Sequence, residues 1–128
     1  MIRRVLIGST LVLLAISVPT SLAGATTRAF LAKPSKVSCV ATKLGGPGAS
    51  VRCDLPFIGH RAVFLHTRGK AKIKSVSGFL HPAHRSTLGL GREARYGQFS
   101  CKSLKTAVTC RNGDGHGFTV GRKFQLTF

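Results

Sequence analysis

Four cysteines constrain the fold of this chain more than any other feature: Cys39, Cys53, Cys101 and Cys110. They fall in two local pairs with spacings of 14 and 9 residues. An even cysteine count reads as a disulfide framework when the chain leaves the cytoplasm, and the N-terminus predicts that it does. Arg3 and Arg4 form a positive n-region, Val5 to Ile16 is predominantly apolar, Pro19 breaks the run, and Ala23-Gly24-Ala25 offers small residues to a signal peptidase. The apolar run is about twelve residues, where a membrane-spanning helix needs roughly 20. Residues 1–25 are therefore expected to be a cleaved signal peptide, and the product a secreted or cell-envelope-associated protein with no transmembrane segment. Four cysteines allow three pairings. Cys39–Cys53 with Cys101–Cys110 is the expected one, because each pair sits at the facing ends of a predicted hairpin. Structural zinc usually draws on close C-x2-4-C pairs, and these spacings supply none. No metal or cofactor is expected.

Removal of residues 1–25 leaves 103 residues, enough for one domain with one modest core that staples would help. The charge is lopsided. The whole chain has 20 Lys and Arg against three acids, Asp54, Glu93 and Asp114. With Arg3 and Arg4 set aside, 18 basic residues remain and the net charge is +15. Such a surface repels itself and attracts polyanions, whether nucleic acid, anionic envelope polymer or acidic lipid headgroups.

Along the chain, alternation and turn signals predict short strands. Residues 26–36 read as an extended, flexible lead, and 37–128 as a single disulfide-linked domain. Val37–Val40 and Ala49–Asp54 flank Gly45-Gly46-Pro47-Gly48 as a hairpin, with Val51 and Cys53 on one face and Ser50, Arg52 and Asp54 on the other. Ala62–Leu65 is a short apolar run. From Lys70 to Val76 the pattern alternates, so a strand sets Lys70, Lys72 and Lys74 on one side, where a helix would spread them. Two roles fit that stripe: protection of a sheet edge, or contact with a polyanion. Pro82 argues against a central strand near residues 78–84, and Arg92–Arg95 leaves room for a short helical turn among what are expected to be mostly strands and turns. Phe99–Cys101 and Ala107–Cys110 form a second hairpin. Asn112-Gly113 and Asp114-Gly115 are strong turn dipeptides. Phe118–Val120 and Lys123–Phe128 supply the last strands, the latter with Phe124, Leu126 and Phe128 on one face. The expected class is all-β: a small antiparallel, sandwich-like domain of hairpins stapled by two disulfides.

The C-terminal motifs carry a resemblance. Cys101-Lys-Ser103, Ala107-Val-Thr-Cys110, Asn112 and Gly115-His-Gly-Phe118, together with Val51-Arg-Cys-Asp54 upstream, resemble a family of small exported bacterial proteins. Ala107 stands where that family usually has glycine, and Tyr96-Gly97 is a weak form of its central turn. The resemblance implies an exported, disulfide-linked, β-rich domain and no particular chemistry.

For catalysis, His116 is the best single candidate, framed by Asp114-Gly115 and Gly117-Phe118. A structural role, with the imidazole on a nearby carbonyl in a tight turn, is the preferred reading. The alternative is a secreted ribonuclease-like phosphodiesterase in which Asp114 orients His116 as a general base. His60, His66, His81 and His84 are further imidazoles, and His81-Pro82-Ala83-His84 could set two together. Three acids make a glycosidase carboxylate pair improbable, bridged cysteines supply no thiol nucleophile, and Gly45-Gly46-Pro47-Gly48 lacks the Lys-Ser/Thr of a phosphate loop. Phe57, Phe64 and Tyr96 are the aromatics available for base stacking, but phenylalanine at strand spacing is more often core, so specific nucleic-acid recognition is not expected. The leading expectation is a non-enzymatic, exported basic domain that associates with an anionic cell-envelope or extracellular polymer, through Lys70, Lys72 and Lys74 if the stripe is a contact.

Overall fold

The computed structural model describes residues 26–128, so the expected signal peptide lies outside the described residues. Among the described residues, eleven strands form two sheets. They are β1 (Thr26–Ala32), β2 (Val37–Leu44), β3 (Ser50–Asp54), β4 (Arg61–His66), β5 (Lys72–Ser75), β6 (Ser86–Leu88), β7 (Glu93–Tyr96), β8 (Phe99–Ser103), β9 (Ala107–Arg111), β10 (Gly117–Gly121) and β11 (Gln125–Thr127). The first sheet has the order β5-β4-β3-β2-β1-β6 and the second β11-β10-β9-β8-β7. Every pairing is antiparallel except β1 with β6, which is parallel. The all-β, disulfide-stapled expectation holds.

Period-two alternation decides which side chains meet between the sheets. Phe30, Cys39, Val51, Cys53, Val63 and Leu65 of the first sheet form one buried cluster with Phe99, Cys101, Val108, Cys110, Phe118 and Val120 of the second. Both expected disulfides lie inside it. Cys39 faces Cys53 across β2 and β3, and Cys101 faces Cys110 across β8 and β9, each with Cα atoms 4.1 Å apart. Beside the second bridge, β10 runs too close for any side chain at Gly117: a Cβ there would fall 2.0 Å from the Cys110 carbonyl oxygen.

Two expectations are corrected. Residues 26–36 are not a flexible lead: β1 occupies most of that stretch, pairs with β2 and β6, and buries Phe30 and Ala32 completely. Its polar start hid the two inward residues. No helical turn forms at Arg92–Arg95, because β7 pairs there along β8. Phe124 and Leu126, read only as sharing one face, are turned to solvent. Leu126 lies opposite Thr119 on the outer side of the second sheet, and both apolar side chains are exposed. The strand containing Lys72 and Lys74 is also shorter than predicted and begins after Lys70.

A buried asparagine joins the sheets at the tight turn after β9. Asn112 donates from its amide nitrogen to the carbonyls of His66 (3.0 Å) and Gly69 (2.9 Å), in the turn after β4. Its carboxamide oxygen accepts from the N–H groups of Asp114 and His116, both at 3.0 Å. The side chain is thus satisfied at both ends, as burial demands.

Candidate functional site

The lysine stripe lies on an edge strand, as its alternation suggested. β5 closes one side of the six-stranded sheet, and Lys70, Lys72 and Lys74 are all exposed. Register shows what surrounds them. Lys72 is opposite Phe64 of β4, and Phe64 is opposite Arg52 of β3; in the next row Lys74, Ala62 and Asp54 align. These residues share the outer face, because their alternates Ile73, Val63 and Cys53 point inward with the core. Lys70 stands in the connection just ahead of the strand.

Phe64 is the centre of this face. The Arg52 guanidinium lies 5.5 Å from its ring centroid and the Lys74 ammonium 5.7 Å. A ring flanked by two cations holds them together on one surface, each contact worth about 0.5–1 kcal/mol where exposed. Arg52 also pairs through Nε with Asp54 Oδ1 at 2.8 Å, and its Nη2 donates to the Gly78 carbonyl at 2.7 Å. The other Asp54 oxygen accepts from Leu80 N–H at 2.8 Å. Asp54, expected on a polar face, is indeed turned outward, yet the 78–80 loop covers it. That loop borders the patch and is steadied further by Phe79 stacking on His60, centroids 5.7 Å apart.

Arg52–Asp54 is the one ion pair among the described residues. The other two acids are engaged by neutral donors: Glu93 accepts from Ser100 Oγ, and Asp114 Oδ2 accepts from Gly69 N–H. The face around Phe64 therefore presents the Lys72 and Lys74 ammonium groups with no carboxylate pairing them.

The catalytic candidates sit elsewhere. His116 places Nδ1 3.3 Å from the Phe128 carbonyl, and its own N–H is held by Asn112. The Asp114 carboxylate turns to Gly69, so the hydrogen bonds of the two residues go to different partners. His81 and His84 lie on an exposed loop. No group of three or more His, Cys, Asp or Glu is placed to hold a metal ion among the described residues.

Sequence reasoning missed Arg52 and Phe64 as partners of the lysines. The alternation of Val51-Arg52-Cys53 already turned Arg52 outward, but only the β3–β4–β5 register shows that Phe64 stands between it and Lys72. No family model, no curated protein and no solved structure matches the chain. No helix among the described residues is long and apolar enough to cross a membrane.

Proposed function

We propose that this is an exported basic domain that adsorbs to an anionic cell-envelope or extracellular polymer through the outer face of its six-stranded sheet, without chemical turnover. The supporting observation is the grouping of Lys72, Lys74 and Arg52 around Phe64, with Lys70 adjacent and no carboxylate left to pair the lysines. Screening confines such attraction to about 8 Å at physiological salt, so a polymer must lie along the sheet. The pleat helps: alternate residues on one strand are about 7 Å apart, so Lys72 and Lys74 lie within about one screening length of each other and their fields add. The C-terminal motifs and the N-terminal signal pattern support export as the setting.

The test is adsorption to heparin and to teichoic-acid beads across a salt series, comparing the wild type with K70Q/K72Q/K74Q. The variant is expected to elute at lower salt, with a log–log salt slope shallower by about one for each anionic group that a lysine no longer neutralises. Unchanged elution and slope would reject the face as the contact and leave edge protection as the role of the stripe.

A further inference from the structure

The opposite edge of the same sheet carries a different feature. Where β6 meets the β7–β8 turn, a cavity of about 530 Å³ has Arg28, Arg95, Ser86 and Tyr96 among its lining residues. A neighbouring cavity of about 350 Å³ shares Arg28 and Ser86 and adds Arg85 and His84. No carboxylate lines either one. Arg28 and Arg95 thus line one concave corner together with the Ser86 and Tyr96 side chains, and Arg85 lines the cavity beside it.

Tyr96 is fixed there by packing. Its ring stacks on fully buried Phe30, with centroids 4.8 Å apart and planes within 4°. Burial raises the phenol above its ordinary value of 10.0, against the opposing pull of Ser86 and the Arg28 charge. The hydroxyl therefore stays protonated at neutral pH. Guanidinium groups present paired N–H donors that match two oxygens of a tetrahedral anion.

We propose that this corner is a phosphate-binding site, in which Arg28 and Arg95 grip the anion while the Tyr96 hydroxyl donates a hydrogen bond to it. The site uses none of the residues of the lysine face and stands independently of the function proposed for that face. Its phosphate can be a free ion or a phosphodiester within a polymer, and the two sources are separable by experiment.

Amide chemical shifts of the disulfide-bonded protein would be followed while inorganic phosphate, and separately glycerophosphoglycerol, is titrated in at constant ionic strength. Saturable shifts should centre on Arg28, Ser86 and Tyr96. R28Q/R95Q should weaken binding at least about tenfold, and Tyr96→Phe, which keeps the stack on Phe30, about threefold. K70Q/K72Q/K74Q should bind within about twofold of wild type, because a charge at the far edge of the sheet is largely screened. Binding of the diester would assign the phosphate to a polymer; binding of inorganic phosphate alone would assign it to the free ion. Binding of neither, shifts centred on the lysines of β5, or undiminished affinity in R28Q/R95Q would overturn the proposal.

Discussion

The two sheets are built alike inside and differently outside. Each is stapled by a bridge between directly opposed cysteines on neighbouring strands, and each carries the same local pattern, Val51-Arg52-Cys53 in one and Val108-Thr109-Cys110 in the other. Val51 and Val108 are buried without exposure, as are all four cysteines. The residue between them points out in both cases. In the first sheet it is Arg52, which ties Asp54, the 78–80 loop and Phe64 into a charged surface. In the second it is Thr109, which donates to the Phe118 carbonyl and accepts from Thr119, forming a short hydroxyl ladder. The inward pattern makes a sandwich; the outward residue decides what the sandwich shows to solvent.

The largest expected effects test the shared interior. Replacing either cysteine pair with alanine, C39A/C53A or C101A/C110A, should cost about 3 kcal/mol by chain entropy, since the loops are of similar length. Chemical denaturation of the two variants should agree within about 1 kcal/mol. A cost confined to one pair would end the symmetry between the sheets. Asn112→Ala comes next. It strips partners from two carbonyls and two N–H groups at the junction of the sheets, and should cost about 2 kcal/mol. A decrease below about 0.5 kcal/mol would show that the sandwich does not need this latch.

Smaller effects separate the outer faces. Arg52→Gln leaves largely covered Asp54 without its cation and should lose about 1.5 kcal/mol. Thr109→Val removes only neutral hydrogen bonds on a half-buried face and should lose about 0.5–1 kcal/mol. Equal losses would mean that the outward residues are interchangeable. Tyr96, the chain's single tyrosine, offers a pH test at the corner between the sheets. Its folded-state phenol is raised above 10.0 by burial, while the unfolded chain titrates near that ordinary value. Folded protein then holds the proton more tightly than unfolded protein, so this contribution to stability is complete below pH 10 and falls as pH rises through the folded value. Tyrosinate absorbance should show a midpoint above 10.0 in native protein, returning toward it in denaturant. A native midpoint at or below the denatured one would contradict the burial of this ring.

Much of the interior was legible from local pattern. Val51 and Cys53 alternate against polar neighbours, the 14-residue cysteine spacing spans a Gly-Pro turn signal and the 9-residue one a short polar loop, so hairpins and bridges follow from short-range rules. What local pattern misses is non-local pairing. β1 starts with Thr26-Thr27-Arg28 and reads as polar, but its place is set by β2 and by the parallel β6, about 57 residues away by the Ser86–Ala29 contact. Phe124 and Leu126 alternate like a core strand, yet the side of the sheet they occupy depends on register with β10, which a one-residue slip would reverse. The candidate face was half legible: alternation placed the lysines together, while Phe64 joined them only through pairing across three strands.

The central claim is that position, and not bulk charge, makes the six-stranded sheet the contact surface. A charge-matched comparison tests it most directly. K70Q/K72Q/K74Q and K33Q/K36Q/K43Q each remove three positive charges from exposed side chains, the first from β5 and the connection just ahead of it, the second from the turn before β2 and from its far end. On teichoic-acid beads across a salt series, the first variant should elute well below wild type with a salt slope shallower by about 2–3, and the second should stay within about 0.5 of the wild-type slope. Equal losses in the two variants would contradict the account, leaving adsorption as a property of net charge alone.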